Sequence, residues 1–433
     1  MKSAKYSLVA LMAVGVVSSL CAADTLADAF KNGKVGGELR AWYFDRDNGT
    51  TAHQDIFNTA VILNYVTDTF YGFRLGATMQ SNYAPYADSD SKDLFKGDMY
   101  GSGAMLSEAY IGYAIGKTDL KIGRQFISTP LVSGSGSRIV KEAFQGAVLT
   151  NTDLPSTTLI AAYVNKFQGR TSTLADASDV GDIGDFTKTY ALSVGKGGSV
   201  SKAFIDDAYS AGVINKSITG LTLTAQYALA NDVAHLGDVS LYHAEANYVL
   251  PMNGFKLGFD AMYRTSRTDS ALDNLNLEGS YFGGRVSIID LAGFGISVAA
   301  ATSDKSDDLI AGVGNGADST YTGSILTSAH TYARDTDSYM GKISYDFSKI
   351  GVTGLSAFVL YADNDQGYTQ GVAQTSGDWK NTACDVTYAF EGALKGFSLS
   401  LQYEKEDNDK RNAAGVNTNV TSEEYRFRAN YKF

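Results

Sequence analysis

The sequence predicts an all-β protein, a transmembrane antiparallel β-barrel of about eighteen strands with short periplasmic turns and long extracellular loops. Three observations predict it. Apolar and polar residues alternate through segment after segment, and the connections between segments alternate between short and long. The composition, with 45 Gly, 27 Tyr and 21 Phe against 4 Pro and 2 Trp, suits many strands and tight turns.

The chain opens on Lys2 and Lys5, an apolar stretch from Leu8 to Leu20, and the small-residue run Cys21-Ala22-Ala23. Residues 1–23 therefore read as a cleaved signal peptide, and 24–433 as the barrel domain. The apolar stretch is too short for a membrane-spanning helix, and nothing after it approaches the ~20 residues such a helix needs. Cys21 admits a lipid-attachment reading, against which Leu20 immediately before it argues. Once the leader is removed only Cys384 is left, so no internal disulfide is expected. The net charge of −11 becomes more negative without Lys2 and Lys5, which argues against a nucleic-acid partner.

The strands follow in order. From Val35 the first strand carries Glu38 and Arg40 on one face. In Leu221 to Leu229 the odd positions Leu221, Leu223, Ala225, Tyr227 and Leu229 oppose Thr222, Thr224 and Gln226. Phe255, Leu257, Phe259, Ala261 and Tyr263 oppose Lys256, Asp260 and Arg264 in the same way. Leu355, Ala357, Val359 and Tyr361 repeat the pattern, as do Phe397, Leu399, Leu401 and Tyr403. Such two-faced strands meet lipid on one side and water on the other, and rings at their ends suit the headgroup layers. The final strand places Tyr425, Phe427, Tyr431 and the terminal Phe433 opposite Arg426, Arg428 and Lys432. That ending resembles the signal by which outer-membrane proteins are handed to the barrel-assembly machinery, the plainer alternative being a ring that only packs.

Short connections at Thr67–Phe70, Gly116–Thr118, Leu250–Gly254, Asp290–Gly293, Ser348–Gly354 and Glu391–Gly396 are expected as periplasmic turns. Long polar stretches at Asn82–Met105, Gln168–Asp207, Ser303–Asp337, Asp363–Asp378 and Lys405–Ser422 are expected as extracellular loops. The weakest strand is Ala208–Asn215, with which Thr187–Gly195 competes unless it forms a hairpin inside the fourth loop.

A barrel of this size encloses an aqueous channel, whereas eight strands would be filled by their own side chains. Left open it would leak, so one connection is expected to fold inward. The candidate is 127–143, with Pro130, the flexible Gly134 and Gly136, and Arg138; the alternative is an ordinary Gly/Ser surface loop. Strand parity then nominates the wall of the bore: Glu38, Arg40, Arg74, Glu108, Asp260, Arg264 and Arg285, together with Lys256, Lys342, Asp346, Asp385, Glu404, Arg426 and Arg428. Arg138 leads, with Arg40, Arg74 and Arg124 as wall partners. Arg124 shares parity with Leu120 and Ile122, so its inward placement needs a bulge or a position beyond the membrane. Facing acids and bases at a narrow point would create a transverse field that sets ion preference.

The stretch Ile122 to Leu149, IGRQFISTPLVSGSGSRIVKEAFQGAVL, resembles the third-loop region of OprD-type porins, and FKNGKVGGELRAWYFDRD, Phe30 to Asp47, is similar to their first strand. The resemblance is closest to the branch containing the epsilonproteobacterial major outer-membrane proteins. Arg138, Phe144 and Gly146 match family motifs and Pro130 matches the inward turn, while Val140 and Lys141 depart from the pattern. The resemblance implies an eighteen-stranded pore in the outer membrane, constricted by its third loop and lined on one wall by basic residues. It implies passive diffusion of ions and small hydrophilic solutes, a homotrimer among lipid and lipopolysaccharide, and no cofactor.

His53, His235, His243 and His330 are scattered without metal-ligand spacing, so no metal site is expected. No Ser-His-acid set can be placed, which disfavours a barrel enzyme and leaves no catalytic residue to name. A surface-exposed structural or adhesin barrel stays open as an alternative, which long loops permit and a lack of ion conductance would favour.

Overall fold

The computed structural model describes residues 23–49, 53–171, 183–195, 201–325, 331–374 and 376–433. The expected signal peptide, apart from Ala23, and His330 lie outside the described residues. A short helix, α1 (Leu26–Lys31), capped by the Thr25 side chain, precedes the first strand.

Among the described residues twenty-two strands follow in chain order: β1 (Lys34–Asp47), β2 (Gln54–Val66), β3 (Phe73–Tyr86), β4 (Gly103–Ile115), β5 (Thr118–Gln125), β6 (Ala143–Asn151) and β7 (Thr157–Gln168). The fourth loop contributes β8 (Phe186–Thr187), β9 (Thr189–Val194) and β10 (Lys202–Phe204). Next come β11 (Asp207–Asn215), β12 (Leu221–Val233), β13 (Gly237–Pro251), β14 (Lys256–Thr268), β15 (Ser280–Leu291) and β16 (Phe294–Ser303). The seventh loop holds β17 (Ile310–Val313). The wall then ends with β18 (Thr336–Asp346), β19 (Leu355–Gln366), β20 (Asp378–Ala389), β21 (Phe397–Arg411) and β22 (Asn417–Lys432).

Eighteen of these strands, all but β8, β9, β10 and β17, pair antiparallel with their neighbours, and β22 pairs back onto β1 to close the barrel. Closure satisfies every strand edge inside the membrane, where no water could do so. The seam is finished by the last residue, since Gly37 and Phe433 exchange main-chain N–H···O bonds of 3.0 and 3.1 Å.

The outward faces carry the apolar rows, with Leu39, Leu63, Ile111, Leu223, Phe259, Val359 and Leu401 exposed. Rings gather near the periplasmic turns, where Phe73 meets Tyr113 and Phe294 meets Tyr345, each at 4.5 Å, and Phe390 meets Phe397 at 5.1 Å.

Three differences from the sequence reading are informative. Lys405–Ser422 is mostly hairpin, because β21 and β22 run on past the membrane band and leave 412–416 as the connection. There both strand faces meet water, so no apolar face marks them. Thr189–Val194 resolves as part of a hairpin inside the fourth loop, with β9 pairing β10, while Asp207–Asn215 is the wall strand. The third loop spans 126–142, Ala143 being the first residue of β6.

The bore is also less empty than strand parity suggests. The sheet β10-β9-β17 lies inside, and Val132 of the third loop bridges Val313 of β17. Third, fourth and seventh loops are thereby knitted into one insert. Its apolar residues Ile127, Leu131, Leu192, Ile310 and Val313 pack on wall residues such as Val164, Phe167, Ala228 and Leu241. That side of the interior is filled by packed apolar side chains.

Candidate functional site

The third loop crosses the barrel, and its two ends are held by opposite walls. Near its start, Thr129 closes a turn with Val132 around Pro130, through N–H and Oγ1 bonds to the Val132 carbonyl of 3.0 and 2.9 Å. Gln226 of β12 fixes this tip, accepting from Leu131 N–H and donating to Thr129 Oγ1, both at 2.9 Å. At the other end Arg40 of β1 donates through Nη1 to the carbonyls of Ile139 (2.8 Å) and Arg138 (3.2 Å). Gln80 of β3 makes a two-way pair with the Lys141 main chain at 2.9 and 3.0 Å. Buried main-chain groups that leave regular structure need such partners, and here the wall supplies them.

The loop's small residues serve contact as well as freedom. A Cβ on Gly134 would stand 2.5 Å from the Glu142 carbonyl, and one on Gly146 only 1.9 Å from the Tyr163 carbonyl. Gly136 has room, its nearest neighbour being Lys141 at 3.5 Å. Phe144 is fully buried and rests on Phe167 at 5.2 Å and Tyr190 at 6.5 Å, tying β6 to the insert.

Where the loop returns to β1, guanidinium groups gather. Arg40 lies 3.1 Å from Glu38 and Arg46 lies 2.6 Å from Glu424 and 3.2 Å from Asp98. Arg138 lies 2.8 Å from Asp98, Arg426 lies 2.5 Å from Glu424, and Arg170 lies 3.1 Å from Glu142. Arg428 has no carboxylate within ion-pairing distance among the described residues; it donates to the Ser137 carbonyl at 3.1 Å and lies over Trp42 at 4.6 Å and Phe44 at 5.2 Å. Among the described residues six arginines thus face four carboxylates, in a chain that is acidic overall. The planar guanidinium suits both the rings and the carboxylates. Burial works to raise the pKa of Asp98, but Arg138 and Arg46 outweigh it and hold the group below the usual carboxylate range.

The other nominated residues are distributed as follows. Glu38, Arg40 and Arg138 share the cluster just described. Arg74 pairs with Asp119 at 2.7 Å, away from it. Glu108 accepts from Thr78 Oγ1 at 2.5 Å and from Phe126 N–H at 3.3 Å, anchoring the start of the third loop. On β14 and β15, Asp260 and Arg285 pair at 2.8 Å, with the Arg285 guanidinium over Tyr321 of the seventh loop at 4.8 Å. Arg264 does not face open water as parity implied. At 1% exposure it donates to the Ala311 and Ala317 carbonyls at 3.1 and 2.5 Å and clamps the seventh loop.

Arg124 is a correction. Its cross-strand partners Ala109 and Gln145 put it on the outward face with Ile122 and Leu120, and no bulge in β5 turns it inward. Its guanidinium lies over Phe186 at 4.4 Å. Tyr425, Phe427, Tyr431 and Phe433 lie on the outward face of the closing seam, all exposed.

Sequence reasoning missed Arg46, Asp98, Glu142, Arg170 and also Glu424, which shares the inward parity of Arg426 and Arg428 on β22. Arg46 was within reach, since it continues the inward parity of Glu38 and Arg40. Asp98, Glu142 and Arg170 sit in loops, where no period marks them. Among the described residues, no group of His, Cys, Asp and Glu side chains is arranged to hold a metal ion.

Residues 28–433 match the family described as outer membrane porin, OprD family. No curated protein matches the chain by sequence. Among solved structures it is similar to OccK9 (OpdG) of Pseudomonas aeruginosa, with TM-score 0.76 and 18% identity over 94% of this chain and 99% of that one. It is similar to OccK2 (OpdF) of the same organism, solved in complex with glucuronate, with TM-score 0.74 and 15% identity over 93% and 98%. Pseudomonas aeruginosa OpdK, solved with vanillate, gives TM-score 0.73 and 16% identity over 93% and 99%. These likenesses are of fold.

Proposed function

Because the chain belongs to the OprD family of outer membrane porins, we propose that its bore passes ions and small hydrophilic solutes passively, narrowed by the third loop, and that the arginine wall favours small organic anions. One observation carries this reading: the third loop is pinned to β12 at one end and to Arg40 at the other, beside six arginines. A solute crossing there exchanges hydration for guanidinium and main-chain contacts. Charge at the narrow point outweighs the global acidity, because exposed charges farther than about 8–10 Å are screened by salt. Glucuronate and vanillate, held by two proteins of similar fold, both carry a carboxylate that arginine pairs with in bidentate fashion.

No catalytic residue is part of the reading. Assembly as a homotrimer, insertion through the C-terminal strand, and a place in the branch of epsilonproteobacterial major outer-membrane proteins belong to it by sequence resemblance. Recording in planar bilayers tests it. Stepwise conductance with anion preference is expected, and a protein that is folded yet electrically silent would sink it in favour of a structural or adhesive barrel.

A further inference from the structure

The outer wall carries a feature separate from the bore. Arg124 on β5, Gln145 on β6 and Lys166 on β7 are direct cross-strand neighbours near the extracellular ends of their strands. A bulge at Asn165 absorbs one residue and keeps Lys166 outward. Strands lie about 4.8 Å apart, so Arg124 and Lys166 are roughly 10 Å apart at the backbone and their side chains can converge on one group.

Among the described residues neither cation makes an ion pair; Arg124 makes a single 3.4 Å contact with the Leu106 carbonyl besides its ring contact with Phe186. The neighbouring acids are engaged elsewhere, Asp206 by Lys188 and Asp207 by the Asn231 amide at 2.6 Å. Two unpaired cations facing hydrocarbon are costly at mid-membrane and nearly free at the interface.

Directly below, toward the periplasm, Ala147, Ala161 and Ala211 leave an apolar groove between Leu149, Tyr163 and Tyr209, about 460 Å³ in volume. That is within the ~300–1,000 Å³ of ligand sites. A cationic pair at headgroup level above an apolar groove complements an amphipathic anion. We propose that this face binds a phosphate-bearing, multiply acylated lipid of the outer leaflet, with the phosphate between Arg124 and Lys166 and an acyl chain along the alanines.

Native mass spectrometry of the full barrel in detergent, titrated with diphosphoryl lipid A, tests the proposal. One tightly held lipid A per barrel is expected. Arg124→Gln with Lys166→Gln should weaken it about tenfold, the scale of removing one charge-assisted hydrogen bond. Ala161→Trp, which fills the groove and spares both cations, should weaken it as well, while Lys188→Gln should leave it unchanged. Folding is checked by heat-modifiable gel mobility, and the single variants replace the double one if that fails to fold. Equal binding by the cation variants overturns the proposal. So does displacement of lipid A by millimolar inorganic phosphate, which would mark a free-phosphate site. A wild-type oligomer that excludes lipid A overturns it too, because the face would then be covered by a second copy of the chain.

Discussion

The Nη1 of Arg40 on β1 donates to the main-chain carbonyl of Ile139 at 2.8 Å, and with Gln80 on Lys141 this tie holds the returning end of the third loop to its wall. Arg40→Gln removes that tie and leaves Glu38 buried without its partner, a loss of about 3–5 kcal/mol for a broken buried pair. The variant should show a larger mean conductance, more flicker and a lower heat-modification temperature. Conductance and stability both equal to wild type would mean that the loop is held by its other contacts alone.

Arg428 differs from its neighbours in having no carboxylate at ion-pair distance among the described residues. Arg428→Gln therefore removes a charge without stranding an acid. The ratio of chloride to potassium permeability should fall about fivefold, the equivalent of ~1 kcal/mol for a charge 4 Å from a permeating ion in water. Arg138→Ala should shift preference the same way and leave Asp98 with Arg46 as its remaining ion-pair partner. Reversal potentials in a salt gradient decide, and an unchanged value for both would remove the arginine wall from selectivity.

Loop carboxyls respond to acidification with opposite signs, as Asp318 in the seventh loop and Asp98 in the second illustrate. Burial pushes Asp318 up to about 6 despite Arg170 and Arg264. An acid whose folded pKa exceeds its unfolded value stabilises the fold while protonated and gives that up as pH rises through the folded value. Going from pH 7 to 5 should then quieten gating, and Asp318→Asn should be quiet at both pH values. Asp98, held below the usual carboxylate range, stabilises while ionised. Its contribution is complete above the ordinary aspartate pKa of about 3.9 and fades as pH falls through the depressed value. Single-channel noise between pH 7 and 5 should thus follow Asp318, and an Asp318→Asn channel that still responds would point to another group.

Gly146 tests the close approach of β6 and β7. Its Cβ position lies 1.9 Å from the Tyr163 carbonyl, opposite the bulge at Asn165. Gly146→Ala must spread the two strands, an overpacking cost of about 1–3 kcal/mol or more. Refolding yield in detergent should drop, whereas Gly136→Ala, with its nearest neighbour at 3.5 Å, should refold normally.

What the sequence made legible was the part of the chain that meets lipid. Leu221, Leu223 and Tyr227 alternate with Thr222 and Gln226 because hydrocarbon and water lie on opposite faces of β12. The signal fails where that contrast is absent. Above the membrane, Lys405 to Arg411 and their partners on β22 have water on both faces, so a hairpin resembled a loop. Farther along β12, Ala228 and Ala230 face inward yet are apolar, because the insert covers them. Arg124 was legible too, since its parity with Ile122 already put it outside. The acids and the arginine that complete the basic cluster from loops, Asp98, Glu142 and Arg170, have no period to betray them.

Phe433 separates two explanations for an aromatic C-terminus. Its main chain exchanges two hydrogen bonds with Gly37, and its ring packs so closely that a Cβ on Gly37 would meet it at 2.7 Å. Deleting Phe433 removes both bonds and ring, and should lower refolding yield in detergent as well as insertion in cells. Phe433→Ala keeps the bonds and removes only the ring. If the ring is read by the assembly machinery, this variant refolds in detergent like wild type and still fails to accumulate in the outer membrane. If the ring merely packs, refolding and accumulation fall together, by a loss of at most about 3–5 kcal/mol for a buried ring and less at this exposed rim. Parallel measurement of the two yields distinguishes the readings, because detergent offers the seam a solvent but no machinery.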